Sequence, residues 1–344
     1  MRSATPEDAG LPIVFTTEEA TAAGFGRHRV AGMVRRGAWV RLRAGTYCRG
    51  PLWAEADARL RFTLRSIAAQ RCRTGATVSH LSAAALWQWP MPLDHARAVW
   101  LTVASGGAAC TRQRDDLRVE VAALPLADVV TTTATRATSR ARTAADCLRH
   151  LPAQDAVAIA DAAGREGLSR QRLDEVLRRQ ARWPYADAAR TALSLVDPRR
   201  ESWLEPWSVV RLHARGVPLP EPQAHVEDAR GRFVARVDWW WPDLGVVGEA
   251  DGREKYRRQG LRTPDDAERQ LRDEKEREDR LRDAGLEVVR YGTRDAVQLD
   301  DLVARWHRAA ERGDPGRLRG RITPAPWPRG WAPRVPRMPL LRTG

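Results

Sequence analysis

Cysteine is scarce in this chain, and long apolar runs are absent. The four cysteines are scattered without a CxxC pair or a histidine at zinc spacing, which predicts free thiols instead of a disulfide framework or a cysteine zinc site: Cys48, Cys72, Cys110 and Cys147. No stretch approaches the roughly 20 apolar residues of a membrane span, and the N-terminus lacks the apolar segment of a secretory signal. We therefore expect a cytoplasmic protein with no membrane partner.

Basic residues are abundant, yet lysine is nearly missing. The 344 residues include 58 Lys and Arg against 44 Asp and Glu, a formal net charge of +14, and the lysines are Lys255 and Lys275. Such an excess fits a polyanionic partner, usually nucleic acid. The alternative is genome bias, since Ala and Arg are common throughout. With 43% hydrophobic residues, the chain can fold into two or three domains.

Residues 1–53 have the element order of a winged helix-turn-helix. Thr16 and Glu19 have capping-box spacing before a short helix that Gly24 ends. A basic helix, "RHRVAGMVRRG", and a hairpin, "WVRLRAGTYCR", follow. In this arrangement the second helix enters the major groove and the wing contacts the backbone. The alternative is a basic helix that faces water. The candidate DNA-contacting residues are Arg27, Arg29, Arg35, Arg36, Arg41 and Arg43.

Residues 54–197 offer no chemistry, whereas residues 313–344 could still contact phosphates. The middle region is predicted to be mostly helical, with a small strand pair in "AVWLTV" and "LRVEVAAL". His80 lies among small residues, where a lone histidine is usually structural. The C-terminal segment is rich in Pro and Arg and has too little apolar surface to fold, so we predict a disordered tail.

Residues 198–312 contain a strand pair that ends in acid, "RVDWWWPDLGVVGEAD". If residues 242–245 form a four-residue loop, Trp241 faces Val246 and Asp238 lies opposite Glu249. Opposed residues point to one face of a sheet, and Asp251 shares that face because it lies two residues beyond Glu249. This register predicts that the three carboxylates converge.

Converging carboxylates repel one another unless a cation lies among them. Mg²⁺ is the predicted ion, with Mn²⁺ as an alternative, because it prefers carboxylate oxygens and can activate water against a phosphodiester. The alternative is neutralisation by Arg236, which the register places opposite Asp251. Lys255 follows the acids and can stabilise charge on a phosphate.

The segments "VDWWWPDLGVVGEADGREKY" and "EKEREDRLRDAGLEVVRY" resemble the PD-(D/E)xK restriction-endonuclease-like superfamily, in particular the very-short-patch repair branch. The resemblance implies an α/β domain with a mixed central sheet. It implies Asp238, Glu249 and Asp251 as metal ligands, Lys255 as the basic partner and Glu205 as the acid of the first helix. Asp251 departs from the usual pattern, in which a lysine stands at this position.

The segment "FTTEEATAAGFGRHRVAGMVRRGAWVRLRAGTYCRG" resembles the N-terminal winged-helix domain of AbiEi-type antitoxins from type IV toxin–antitoxin systems. This resemblance implies operator or other DNA binding, and a cognate toxin as a partner. Combined with the C-terminal resemblance, it predicts an α+β multidomain protein with a winged helix, a mostly helical middle region and a nuclease-like domain.

Three functions compete on these residues. The leading hypothesis is a DNA-binding protein with a Mg²⁺-dependent endodeoxyribonuclease domain. Its alternatives are a non-catalytic, antitoxin-like transcriptional regulator and a nuclease that acts on RNA. The charged helix near the C-terminus would add phosphate contacts to either nuclease, or would simply be solvated with internal ion pairs. Its candidate contacts are Lys275, Arg277 and Arg280.

Overall fold

The computed structural model describes residues 10–92, 96–105, 112–250 and 264–332 as an α+β protein with three sheets. The chain forms two compact units. Unit 1 comprises Met1–Leu151 with Arg172–Ala186, and unit 2 comprises Pro152–Gln171 with Asp187–Gly344. The sequence instead predicts domain boundaries near residues 53 and 197. Within the described residues, no helix is both long enough and apolar enough to cross a membrane.

The first elements of unit 1 follow the predicted order. They are β1 (Val14–Thr16), α1 (Thr17–Ala22), α2 (Arg27–Arg35), β2 (Trp39–Arg43), β3 (Thr46–Arg49), α3 (Gly50–Glu55) and α4 (Ala58–Arg71). Thr16 and Glu19 form the expected capping box. The three strands form an antiparallel sheet in the order β1-β3-β2. Trp39 centres the core, with ring centroids 4.6 Å from Phe15 and 4.9 Å from Phe25.

The rest of unit 1 contains more strand than the sequence predicts. Its elements are β4 (Ala76–Val78), α5 (His80–Leu86), β5 (Val99–Ala104), β6 (Arg112–Arg114), β7 (Leu117–Ala122), β8 (Val129–Thr131), β9 (Arg136–Thr138) and α6 (Arg140–His150). They build a six-stranded mixed sheet, β6-β7-β5-β4-β9-β8. The expected pair, β5 and β7, lies within it in parallel. Residues 54–197 nevertheless contain more helix than strand. The sequence misses β4, β6, β8 and β9 because strands of three residues carry no readable alternation.

Unit 2 places a mixed sheet between helices. Its elements are α7 (Ala153–Arg165), the start of α8 (Arg170–Arg179), α9 (Ala186–Ser194), α10 (Leu204–His213), β10 (Glu221–Asp228), β11 (Phe233–Trp241), β12 (Val246–Ala250), α11 (Pro264–Asp283), β13 (Glu287–Tyr291), α12 (Thr293–Val297), α13 (Leu299–Arg312) and β14 (Gly320–Thr323). The strand order is β13-β12-β11-β10-β14. One apolar cluster joins the sheet to α10, α12 and α13, and another joins it to α11.

The hairpin of β11 and β12 has the predicted register. Trp241 pairs with Val246, and Trp239 pairs with Gly248. Gly245 closes the loop at φ 62, a left-handed conformation that suits glycine. A Cβ on Gly248 would lie 2.7 Å from a ring carbon of Trp239, so this position also requires glycine. The local turn and the tryptophan packing together set the register.

The described part of the C-terminal segment is ordered, which contradicts the predicted disordered tail. Strand β14 pairs with β10 at the edge of the sheet. Beyond it, Trp331 is 5% exposed, and its Nε1 donates to the carbonyl oxygen of Leu168 at 2.7 Å. The guanidinium of Arg199 lies 3.9 Å from the ring centre of Trp327. The composition of the segment predicts disorder, but the segment packs against the rest of unit 2, and this packing cannot be read from composition.

Candidate active site

Glu205 lies in the first turn of α10 and points inward. It is 2% exposed, and its Oε1 accepts hydrogen bonds from the backbone N–H of Ser202 at 2.8 Å and of Glu201 at 3.2 Å. Pro206 does not delay the helix, because proline is tolerated in a first turn where the N–H has no intrahelical acceptor. These bonds hold Oε1, so Oε2 faces the sheet.

Gln223 connects Glu205 to Asp238. Its Nε2 donates to Oε2 of Glu205 at 2.8 Å and to Oδ1 of Asp238 at 3.1 Å. Its neighbours in β10 pair with Trp239 and Val237, so Gln223 faces Asp238 across the ladder. Its φ is 55, a left-handed conformation that a side chain makes costly. The backbone therefore holds a strained residue at the point where its amide joins two acids.

Asp238 and Glu249 belong to the two arms of the hairpin. Extending the observed register by one pair places them opposite each other, as the sequence predicts. Oδ2 of Asp238 accepts from the backbone N–H of Ala250 at 2.7 Å, which ties it to the end of β12. Glu249 is 4% exposed. Two acids thus approach from neighbouring strands inside the unit.

Two arginines neutralise part of the Glu249 charge. Arg277 on α11 donates to Oε2 of Glu249 at 3.2 Å, and Arg290 on β13 lies 3.7 Å from the same oxygen. From the sequence, Arg236 is the alternative candidate for neutralising the acids. Arg236 instead donates to both carboxylate oxygens of Glu201, at 2.9 and 2.7 Å.

Burial and mutual repulsion change the acidity of the cluster. The pKa of Glu205 is raised, first by burial and then by the charge of Asp238. Burial also raises the pKa of Glu249, against the opposing effect of Arg277 and Arg290. The environment of both acids therefore disfavours their ionised forms.

Tyr291 adds a buried hydroxyl to this cluster. Its ring stacks on Trp239 with centroids 3.7 Å apart, and its hydroxyl has no hydrogen-bond partner among the residues that the structure describes. Burial raises the pKa of Tyr291 well above its usual value, and Asp238 and Glu205 raise it further. An orphaned hydroxyl costs free energy, so it marks a place where a ligand oxygen or water would be stabilised.

The predicted acids do not all come together in the described chain. Asp251 and Lys255 lie outside the described residues. Among the described residues, Glu205, Asp238 and Glu249 do not form a group placed to hold a metal ion. Within the same part of the chain, the group whose three ligand atoms all lie within 4.8 Å of one another is His80, Glu120 and His150 in unit 1.

The predicted DNA-contacting side chains are mostly exposed, and two of them bind carboxylates. Arg43 bonds to Asp116 at 2.7 Å, and Arg277 is held by Glu249. The remaining ones are exposed: Arg27, Arg29, Arg35, Arg36, Arg41, Lys275 and Arg280. Arg29 also lies over the ring of Phe25, with its guanidinium carbon 4.6 Å from the centroid. The exposed face of α2 is thus strongly basic.

Sequence reasoning does not find Gln223, Tyr291 or Arg290. A glutamine in a strand has no spacing signal, because its role depends on a left-handed backbone and on a helix distant in sequence. Tyr291 and Arg290 lie on β13, whose parallel pairing with β12 brings Tyr291 beside Ala250. The resemblance to the endonuclease-like superfamily includes a strand that carries an arginine, which corresponds to β13. That resemblance does not specify which acid the arginine contacts.

Comparisons with known proteins identify relatives of unknown role. A comparison with known protein families finds no match. The chain is 31% identical over 187 residues to the uncharacterized proteins Rv2248 and MT2308 of two Mycobacterium tuberculosis strains. The match covers 54% of this chain and 60% of each relative. A crystal structure of the RV2827C protein from the same species is similar at 19% identity and a TM-score of 0.33, over 53% of this chain and 70% of that one.

Proposed function

We propose that this protein binds DNA and that unit 2 carries a divalent-metal-dependent phosphodiesterase site. Asp238 and Glu249 are the proposed metal ligands, with Glu205 beside them. Asp251 and Lys255, which follow β12 in the sequence, would complete the ligand set and supply a cation for the phosphate. DNA is the proposed substrate because the chain carries +14 formal charges.

The observation that carries this proposal is the sharing of one amide by two acids. Glu205 and Asp238 both accept from Nε2 of Gln223, and the charge of Asp238 raises the pKa of Glu205. Neighbouring ionised carboxylates are costly away from water unless a cation is present. A strained residue maintained at such a place supports a binding role over a purely structural one.

The donor set fits Mg²⁺ or Mn²⁺. Carboxylate oxygens are the ligands that these hard cations prefer, and the Tyr291 hydroxyl lies in the same electrostatic environment without a partner. When bound, the ion would polarise a phosphodiester and lower the pKa of a bound water. The chain's own residues would orient Asp238 through Gln223 and Ala250, and would balance excess charge through Arg277 and Arg290.

The N-terminal part of unit 1 supports the DNA-binding half of the proposal. We propose that its strand, two helices and hairpin form a winged helix-turn-helix, with α2 in the major groove. The exposed arginines at the end of α2, Arg35 and Arg36, would contribute phosphate contacts. They are separate from the carboxylate cluster in unit 2, so DNA affinity and cleavage can be tested independently.

A second candidate function is a non-catalytic regulator of the antitoxin type, with a cognate toxin as its partner. The observation that favours it is the pairing of Glu249 with Arg277 and Arg290, which leaves less negative charge for an ion. In that case unit 2 would hold DNA or a partner protein without cleaving it.

Plasmid cleavage tests the proposal directly. Purified full-length protein, with Mg²⁺ or Mn²⁺, is expected to nick supercoiled DNA, and EDTA is expected to stop the reaction. Asp238→Asn and Glu249→Gln should each lower the rate at least 100-fold while leaving gel retardation of DNA unchanged. The matched control is Glu227→Gln. Glu227 is an acid of the same sheet, and it forms an ion pair with the exposed Arg321.

The outcomes separate the candidate functions. Retardation without cleavage under either ion would reject the nuclease and support the regulator. Cleavage of transfer RNA with no cleavage of plasmid would replace DNA by RNA as the substrate. Equal cleavage by wild type and Asp238→Asn would locate the activity outside the proposed site. Weaker retardation by Arg35→Ala/Arg36→Ala, with unchanged folding, would assign DNA contact to α2.

A further inference from the structure

A second cluster of ligand-type side chains lies in unit 1 and shares no residue with the carboxylates of unit 2. His80 begins α5, Glu120 lies on β7 and His150 ends α6. One ligand atom from each lies within 4.8 Å of the other two. Three elements that are distant in sequence therefore bring two imidazoles and a carboxylate to one place, and none of these residues serves the proposed phosphodiesterase.

The facing atoms of this trio are buried and close together. Nε2 of His80 lies 2.9 Å and Nε2 of His150 lies 3.8 Å from Oε2 of Glu120. His80 is 1% exposed. The shorter contact is an ion pair when His80 is protonated, and a metal cation held by all three atoms would take the place of that proton.

Neighbouring side chains orient the ligands. Nδ1 of His80 lies 2.9 Å from Oγ of Ser79, and this Oγ accepts from Oγ1 of Thr102 at 2.8 Å. In the His80 tautomer that carries its hydrogen on Nδ1, the Nε2 lone pair faces the cluster. The buried guanidinium of Arg149 lies 3.6 Å from Oε1 of Glu120 and so directs Oε2 toward the histidines. This is the supporting pattern of metal-binding imidazole and carboxylate groups.

Backbone strain and an aromatic wall hold the histidines in place. His80 has φ 50, a left-handed conformation that is unusual for this residue at the start of a helix. Its ring stacks on Trp100 with centroids 4.4 Å apart, and Trp100 also lies 5.3 Å from His150. Strain that surrounding packing maintains is typical of functional positions.

We propose that His80, Glu120 and His150 form a binding site for a divalent transition-metal ion of the zinc class. Two imidazoles and one carboxylate are typical ligands of zinc, and three protein ligands leave a position open. Tetrahedral zinc separates its ligand atoms by roughly 3.3 Å, which lies between the two observed separations. The ring centroid of Tyr185, a residue that is 64% exposed, lies 5.6 Å from that of His150.

Cobalt provides the test, because tetrahedral Co²⁺ absorbs visible light and Zn²⁺ displaces it. EDTA-treated full-length protein is expected to bind one equivalent of Co²⁺ with this absorption, and one equivalent of Zn²⁺ should abolish it. Glu120→Gln and His150→Gln should each weaken binding at least tenfold. His28→Gln is the matched control, since His28 is an exposed histidine of the same unit. Asp238→Asn should leave the Co²⁺ signal unchanged, which separates this site from the phosphodiesterase.

Three results would overturn the proposal. These are no visible Co²⁺ absorption at micromolar protein, unchanged binding by both ligand variants, or loss of the signal in Asp238→Asn. Circular dichroism establishes that each variant folds. If Glu120→Gln does not fold, His150→Gln decides, because its side chain is partly exposed and tolerates an amide. Absence of plasmid cleavage has no bearing on this result, since the two sites share no residue.

Discussion

Arg277 donates a hydrogen bond to Oε2 of Glu249 across 3.2 Å, so a cation on α11 partly neutralises an acid on β12. The sequence assigns these two side chains to different tasks, DNA contact and metal binding. Their pairing means that a metal ion at the proposed site would compete with a guanidinium for the same oxygen. The pair thereby links the charge of the helix to the affinity of the proposed metal site.

Removal of Arg277 is expected to tighten metal binding. In Arg277→Ala, Glu249 loses a competing cation, and the Kd for Mn²⁺ should fall about fivefold, or roughly 1 kcal/mol, because the guanidinium is partly screened by solvent. Isothermal titration calorimetry on the two proteins measures the change. Arg280→Ala, an exposed change on the same helix, is the control and should leave the Kd unaltered. Weaker Mn²⁺ binding by Arg277→Ala would contradict a ligand role for Glu249.

The left-handed backbone at Gln223 predicts an order of stability between two variants. Both Gln223→Ala and Gln223→Gly remove the amide that Glu205 and Asp238 share, but only glycine adopts φ 55 without a Cβ clash. The glycine variant should therefore be more stable than the alanine variant by about 1 kcal/mol. Urea unfolding at pH 7 measures the difference. An alanine variant as stable as the glycine variant would mean that this backbone is not strained.

The ordered C-terminal segment predicts a large loss of stability in Trp331→Ala. Trp331 is 5% exposed, so its removal should cost about 3 kcal/mol, by urea unfolding. Trp331→Phe keeps an aromatic ring but loses the hydrogen bond to Leu168, and should cost about 1 kcal/mol. Phe233→Ala is the control. Because Phe233 is 60% exposed, this change should alter the free energy of unfolding by less than about 0.5 kcal/mol. Equal stability of Trp331→Ala and wild type would support the prediction that this segment is disordered.

The cysteines predict a selective alkylation pattern. Of the three that the structure describes, Cys72 is exposed, whereas Cys48 and Cys147 are buried. Burial raises the pKa of Cys48 to about 11, so its reactive thiolate is rare at pH 8, and burial raises that of Cys147 as well. Iodoacetamide at pH 8 should label Cys72 in the native protein, and all three after urea unfolding. Mass spectrometry of the peptides distinguishes the sites, and rapid native labelling of Cys147 would contradict its burial.

Local patterns made some features readable without a structure. The capping box of Thr16 and Glu19 and the loop after Trp241 involve neighbours in sequence, so a few residues suffice to specify them. The loop length in turn places Asp238 opposite Glu249, because side chains alternate along paired strands. The short strands β4, β8 and β9 escape such reasoning, since three residues show no period.

The helix cap, the hairpin register, the opposed acids and the basic face of α2 are predictable from the sequence, because each depends on neighbouring residues or on composition. The partners of those acids and the convergence of His80, Glu120 and His150 are visible in the folded structure alone. The same holds for the docking of Trp331 against Leu168. These contacts join residues that are far apart along the chain. Their geometry depends on how whole elements pack, and no spacing rule within a segment encodes it.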